Sequence, residues 1–274
     1  MENTVKKLEE QITFLQQEIS QLSNELYSQQ KDIRGLKKEI SNLNKKEGIC
    51  VVTISNGPKK RLFKTIKSVD RQIYKPDQHI IVCRNIHLYN TFVYHKKFRK
   101  FLINKDTSLY NAMNVALKYN EFSHVIFLNS DDIFLSNLSL LKIKKYLKMY
   151  KTIVGNTILK YNNNLFYPKK IFTKQKKYLS HPSYIALINP ITKKIRFSEN
   201  DIMEADGIWM KKIIKYSNFI KSNTYLSIHN LGGISSNPSL RYIFHYNKIT
   251  QKLKLIIKYF LGLVLNKESY YKLI

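Results

Sequence analysis

Residues 121–134, EFSHVIFLNSDDIF, constrain this chain more than any other stretch, because an apolar run at 125–128 ends abruptly in Asn129, Ser130, Asp131 and Asp132. A short apolar run bounded by polar turn formers is the pattern of a strand buried on both faces, as in a parallel sheet flanked by helices. Such a strand delivers its polar end to the carboxyl edge of the sheet, where open α/β sheets bind ligands. Adjacent carboxylates repel, so a fold tolerates them cheaply only where water solvates them or a cation neutralises them. Oxygen ligands at a turn suit Mg2+ or Mn2+ held jointly with substrate phosphates. Taken alone, the four residues are equally a solvated turn capping the next helix.

Residues 1–47 form a separate segment. Apolar residues recur from Val5 to Leu43 in alternating steps of three and four, interrupted at Gln29, over six heptads. With Val5 at position a, the a set is Val, Ile, Ile, Leu, Ile, Ile and the d set is Leu apart from Gln29, the pattern of a parallel two-stranded coiled coil with one polar register mark. A strict 3.5-residue repeat needs a partner to cover it, so a homo-oligomer, a dimer by this pattern, is expected. A single amphipathic helix folded on the body is the competing arrangement.

This segment carries eight basic and eight acidic residues, so the whole charge of +28, from 47 Lys and Arg against 19 Asp and Glu, belongs to residues 48–274. Only seven of the 47 are arginine, and lysine is dispersed without the interleaved aromatics of a nucleic-acid binder. Nucleic acid is therefore set aside, leaving phosphorylated small molecules and an anionic membrane face. Eleven carboxylates remain in the body, so the pair Asp131 and Asp132 and the cluster Glu199, Asp201, Glu204 and Asp206 stand out as placed. Cys50 and Cys83 sit in apolar runs as buried small hydrophobes and make neither a disulfide framework nor a zinc site. With no apolar leader and no run long enough to span a bilayer, a cytoplasmic location is the expectation.

The body opens with a βαβ unit: a strand over 49–55, a break at Asn56-Gly57-Pro58, a helix carrying Leu62, Ile66 and Val69, and a strand over 79–83. Such a unit implies a right-handed crossover and a parallel sheet. A third strand is expected over 101–104 and a helix over 109–119, with Asp106 or Ser108 accepting its orphan amides.

The sequence of a strand, an NGP turn, a helix, the HIIV strand, then Asp106-x-x-x-Tyr110-x-Ala112-Met113-Asn114 on a helix and Phe127-Leu128-Asn129-Ser130-Asp131-Asp132, resembles family 2 glycosyltransferases of the GT-A fold. The bacterial capsule and lipopolysaccharide branch is the nearest in pattern, and the resemblance covers roughly residues 49–236. It implies an α/β, Rossmann-like, mostly parallel sheet with flanking helices, Mn2+ or Mg2+ as cofactor and a nucleotide-diphosphate sugar, a UDP-sugar, as donor. By that resemblance Thr53 and Ser55 line the nucleotide pocket, Asp106 lies near the base or ribose, and Tyr110, Asn114 and Asn129 lie near the donor. Asp132 holds the metal on the diphosphate, and Asp131 shares it and braces the sugar or ribose. Tyr110 serves equally well as a packing residue of its helix. The chain departs from the pattern where an acid after the second strand is replaced by Cys83-Arg84-Asn85, leaving Arg84 to approach a phosphate. Ser108 replaces a glycine, and Asn111 replaces an aspartate.

Beyond the acidic turn come a basic amphipathic helix over 138–150, a hairpin of 152–161 with 165–167, and a strand over 184–188 preceded by His181-Pro182-Ser183. A helix over 202–214 follows, with acids gathered at its amino-terminal end. Helix-dipole stabilisation explains that gathering without any chemistry. The alternative is a general base that takes the acceptor hydroxyl's proton during an inverting transfer. The resemblance places that base at Ala205-Asp206, with Glu204 in reserve, and matches His181 and the Gly232-Gly233 pair, whose glycines let a loop lie close to the donor. Together with Trp209 these are the candidates for lining the acceptor side of the site. Gly207 and Ile208 stand where the family has Tyr-Asp.

Residues 237–274 form a basic apolar tail that suits the interface of an anionic leaflet or a packing face on the body. The expected protein is thus a coiled coil (1–47), a GT-A domain (48–236) and a basic amphipathic tail (237–274). It is expected to act on a surface-glycan acceptor, lipid-linked in one version, with peripheral contact to the inner membrane. A nucleotidyltransferase acting on sugar phosphates and a catalytically degenerate coiled-coil scaffold are the rivals.

Overall fold

The computed structural model describes residues 15–30, 45–55, 59–84, 96–105, 108–167, 179–199, 205–231 and 249–265. The chain divides into two compact units, Met1–Asn44 and Lys45–Ile274. In the first, residues 15–30 form helix α1, and Leu15, Ile19, Leu22 and Leu26, all a or d positions of the heptads, are exposed.

The second unit is built on a nine-stranded sheet of order β3-β2-β1-β4-β8-β6-β9-β5, with β7 paired to β6. Strands β1 (Lys46–Ser55), β2 (Gln78–Cys83), β3 (Arg99–Ile103) and β4 (Phe122–Phe127) run parallel. Strands β1, β2 and β4 are buried along most of their length because helices cover both faces, whereas β3 at the edge is half-exposed, and side-chain alternation assigns each residue to one face. Cys50, Val52 and Ile54 of β1 face a core with Met113 and Ala116 of α3 (Leu109–Tyr119) and with Trp209 and Ile213 of α5 (Ala205–Tyr216). Ile49 and Val51 face the opposite core with Val69 of α2 (Lys59–Asp70) and Leu140 and Ile143 of α4 (Ser139–Leu147).

The other half of the sheet is mixed. Strand β8 (Tyr184–Leu187) pairs antiparallel to β4 and to β6 (Thr152–Tyr161), and β6 turns back into β7 (Asn164–Phe166). Strand β9 (Phe219–Asn230) lies parallel to β6 and carries the short β5 (Ile133–Phe134) on its far edge. The strands and helices expected of the body are present, with the start of the expected 202–214 helix lying outside the described residues, and β5 and β9 are additions to them. The tail contains α6 (Ile249–Val264), and among the described residues no helix is long and apolar enough to cross a membrane.

Candidate active site at the carboxyl edge

Past β4 the backbone stays paired to β1, with Leu128 N–H donating to Val52 C=O at 2.8 Å and Ser130 N–H to Ile54 C=O at 3.0 Å. The chain then reverses at Asp131, whose φ of 90° lies in the left-handed region. For a residue with a Cβ that conformation costs on the order of 1 kcal/mol and persists where surrounding structure over-determines it. Here α2 and β9 supply that determination. The buried Thr65 hydroxyl donates to Asp132 C=O at 2.8 Å and accepts from Asp131 N–H at 3.0 Å, while Asn230 Nδ2 donates to Asp131 C=O.

The turn drives the Asp132 side chain inward, where it is 3% exposed. Its Oδ1 lies 2.7 Å from His229 Nδ1 and its Oδ2 lies 3.3 Å from His181 Nε2. His181 Nδ1 in turn lies 3.5 Å from Asp206 Oδ2. Asp206 stands in the first turn of α5, where its Oδ1 accepts the Gly207 N–H at 2.7 Å. The histidines come from a 3-10 turn (His181–Ser183) and from the end of β9. The Ser183 hydroxyl, 2.6 Å from that of Ser227, donates to Asn156 C=O at 2.7 Å, so a buried bond two residues from each imidazole sets their separation. The rings meet edge to face with centroids 5.3 Å apart.

Electrostatics follow from this packing. Burial alone raises the Asp132 pKa, but the imidazoles, His229 foremost, outweigh it and hold the carboxyl below the usual carboxylate range. Burial likewise opposes charge on His181, yet hydrogen bonds and charges from Asp132 and Asp206 push it up to about 9. Asp206 is drawn down by His181 against its own burial. The donor set of Asp132, His181 and His229, with ligand atoms all within 4.8 Å of one another, fits a divalent cation. A carboxylate with two imidazoles suits a first-row transition ion better than Mg2+, which prefers all-oxygen sets.

Beside the cluster, the buried side-chain atoms Ser55 Oγ, Asn129 Oδ1 and Ser130 Oγ have no hydrogen-bond partner among the described residues. Orphaned polar atoms are rare in native interiors and call for an explanation. These lie at the ends of the neighbouring parallel strands β1 and β4, where a ligand would satisfy them.

The mixed α/β sheet with flanking helices superposes on solved structures. S. aureus TarS 1-349 in complex with UDP-GlcNAc matches with a TM-score of 0.59 at 15% identity, covering 81% of this chain and 69% of that one. The mannosyltransferase PcManGT from Pyrobaculum calidifontis, in complex with GDP-Man and Mn2+, matches with a TM-score of 0.51 at 10% identity, covering 79% and 64%. The chain has a GT-A fold. At these identities the likeness concerns the fold alone. S. aureus TarS in its longer form matches over 81% of this chain and 41% of that one, at 15% identity and a TM-score of 0.55. Residues 1–49 match the SlyX family, and no curated protein matches the chain.

Of the residues singled out in the sequence, Asp132, His181, Asp206 and Asn129 come together, with Asn129 Nδ2 3.4 Å from His181 Nε2. Asp131, expected to share the metal, instead sends its carboxylate toward Arg61 Nε, 3.7 Å away. Thr53 falls on the α2 face of β1 and bonds His79 Nε2 at 3.0 Å, while Arg84 is exposed after β2. Tyr110 is 5% exposed and stacks on Phe197, the packing alternative. Trp209, expected to line the site, is 2% exposed, stacks on Phe197 at 4.6 Å and donates from Nε1 to Ile195 C=O, so its ring is used in the core. Asn114 braces the 197–199 segment, exchanging bonds with the Phe197 backbone and donating to Glu199 Oε1 at 2.8 Å. Asp106, Glu204, Gly232 and Gly233 lie outside the described residues.

Sequence reasoning missed His229 entirely. A histidine closing a run of alternating residues just before Leu231-Gly232-Gly233 was the available signal. In the sequence Glu199 is one member of an acidic cluster; in the fold Asn111 Nδ2 donates to its Oε2 at 2.9 Å, so the asparagine that departs from the family pattern faces a carboxylate supplied from elsewhere in the chain.

Proposed function

We propose that the protein is a metal-dependent, inverting family 2 glycosyltransferase. It moves a sugar from a nucleotide diphosphate, a UDP-sugar, to a hydroxyl of a surface glycan of capsule or lipopolysaccharide type. The observation that carries this is the buried, ionised Asp132 at the carboxyl edge, flanked by His229 and His181 and joined through His181 to Asp206. The complexes of similar structures with UDP-GlcNAc, and with GDP-Man and Mn2+, support a nucleotide-sugar donor.

In this mechanism Ser55, Asn129 and Ser130 receive polar groups of the donor, and Asp131, its turn pinned by Thr65 and Asn230, braces a sugar hydroxyl beside Arg61. Asp132 and the two histidines would hold a divalent cation, Mn2+ in preference to Mg2+, which would neutralise charge on the departing diphosphate. The Asp206 side chain is 30% exposed, open enough for an acceptor hydroxyl to reach it. As the acceptor oxygen bonds to the anomeric carbon and the bond to the diphosphate oxygen breaks, the hydroxyl proton passes to Asp206. A single displacement of this kind inverts the anomeric centre.

The reading extends to the flanking segments. The exposed heptad positions of α1 suit a parallel dimer. Helix α6 has no acidic residue in its first turn, lysines within it, and exposed Leu253, Ile257 and Phe260, which suit peripheral contact with an anionic membrane.

The test is incubation with a panel of nucleotide sugars under Mn2+, Mg2+ or chelator, following donor hydrolysis and binding. Turnover of at least one donor that chelation abolishes is expected. Absence of metal-dependent binding and turnover with every donor would refute the proposal and favour a scaffold.

A further inference from the structure

We propose that Asp206 orients His181 as a ligand of the cation, so that the carboxylate serving as base is also part of the metal's support. This rests on the proposed cation site at Asp132 and His229. His181 presents its two ring nitrogens to carboxylates on different elements: Nε2 lies 3.3 Å from Asp132 Oδ2 and Nδ1 lies 3.5 Å from Asp206 Oδ2. A neutral imidazole that ligates through Nε2 keeps its proton on Nδ1, and a metal-bound histidine is normally fixed by donating that proton to a carboxylate or carbonyl. Asp206 is the carboxylate in that position.

The surroundings fix this arrangement from three sides. The His181 turn is anchored through Ser183 to Asn156 C=O and to Ser227, independently of Asp206. Asn129 Nδ2, 3.4 Å from His181 Nε2, can only donate, so it offers no acceptor that competes for a ring proton. Asp206 Oδ1 is occupied by the Gly207 amide at 2.7 Å, which leaves Oδ2 as the oxygen turned to the ring. Asp206 then has one rotamer, set by its own helix on one oxygen and by His181 on the other. Its side chain stays 30% exposed, open to an incoming hydroxyl. The base is therefore aligned when the cation site is loaded, which ties proton abstraction to the presence of the group that neutralises the leaving diphosphate.

A base that only happened to lie beside His181 would leave metal affinity untouched, and this separates the two ideas without any activity measurement. Mn2+ is titrated into the full-length protein without nucleotide sugar, and free Mn2+ is read from its electron paramagnetic resonance signal. Loss of an outer-shell partner typically weakens metal affinity about 10–100-fold. That loss is expected for Asp206→Ala, with a smaller one for Asp206→Asn, whose one amide oxygen is shared between Nδ1 and the Gly207 N–H, and partial recovery in Asp206→Glu. His229→Ala serves as the ligand-loss control. Wild-type affinity in a folded Asp206→Ala or Asp206→Asn, alongside loss in His229→Ala, overturns the link while sparing the metal site. Failure of the wild type to bind Mn2+ at all overturns the metal-dependent reading and this inference with it.

Discussion

Two buried histidines make the body acid-labile in a calculable way. His124 on β4 has no exposed surface, bonds Ser123 and the Lys151 carbonyl, and is held at about 4 by burial against an ordinary 6.5. His79 on β2 is equally buried and is lowered well below its ordinary value by burial first and then by the Arg99 guanidinium. Both are neutral in the folded protein near pH 6, whereas the unfolded chain takes up their protons below about 6.5. Stability is therefore fully present above that pH and falls as acid is added, by about 1.4 kcal/mol per pH unit for each histidine. His124 alone removes about 2 kcal/mol between pH 6.5 and 4.5, a large part of the stability of a typical domain, and His79 adds to that loss in the same direction. His181, raised to about 9, contributes a constant amount throughout that window, and Asp132 and Asp206, lowered from 3.8, begin to lose their contribution only near its lower end. The assay is urea unfolding at several pH values followed by fluorescence of Trp209, the single tryptophan, which is buried in the core of the body. The midpoint should fall steeply from pH 6.5 to 4.5 at constant slope m. A midpoint independent of pH over that range would refute the assignment of both histidines as buried neutral groups.

At saturating Mn2+, Asp206→Asn should abolish sugar transfer while leaving nucleotide-diphosphate binding, followed by calorimetry, within a few-fold of wild type; lost donor binding would remove Asp206 from the role of base. Asn111→Asp should lower the thermal midpoint by a degree or more, since it sets a second carboxylate against Glu199 at a cost of about 1 kcal/mol, and Glu199→Gln should restore it. An unchanged midpoint in Asn111→Asp would show that the pair bears no load. Removing residues 1–47 should reduce the solution mass measured by light scattering to that of one chain, and an unchanged oligomer would refute the coiled-coil role. Vesicles containing phosphatidylglycerol should retain the full-length protein in sedimentation and release it when Leu253, Ile257 and Phe260 are changed to serine, whereas equal retention would remove α6 from membrane contact.

The sheet was legible because its strands are buried on both faces. A residue run such as ICVVTIS cannot be anything exposed, and the helix expected over 109–119 has those limits in the structure, opened by the Ser108 cap. Strand β9 was harder, since FIKSNTYLSIHN mixes polar and apolar residues on a strand only partly buried. Trp209 and Tyr110 illustrate a different limit. Aromatic residues on a helix satisfy a packing face and a ligand face with the same spacing, and here both stack on Phe197, far along the chain from Tyr110. Thr53 turned on parity: one residue earlier or later on β1 would face the α3 core, but its own position points under α2 to His79.

By itself, the sequence determined what is periodic or local: the heptads of residues 1–47, the buried parallel strands, and a pair of aspartates delivered to a strand end. The partners of those aspartates were decided by the tertiary structure alone. His181 lies 49 residues and His229 97 residues from Asp132 along the chain, and no spacing rule links them. They converge because β8 and β9 both pair with β6, bringing the ends that carry the histidines to the edge where the β4 chain turns at Asp131. The same geometry separates the two aspartates, turning Asp131 to Arg61 and burying Asp132 between imidazoles, because a reversal at positive φ sends successive side chains in different directions.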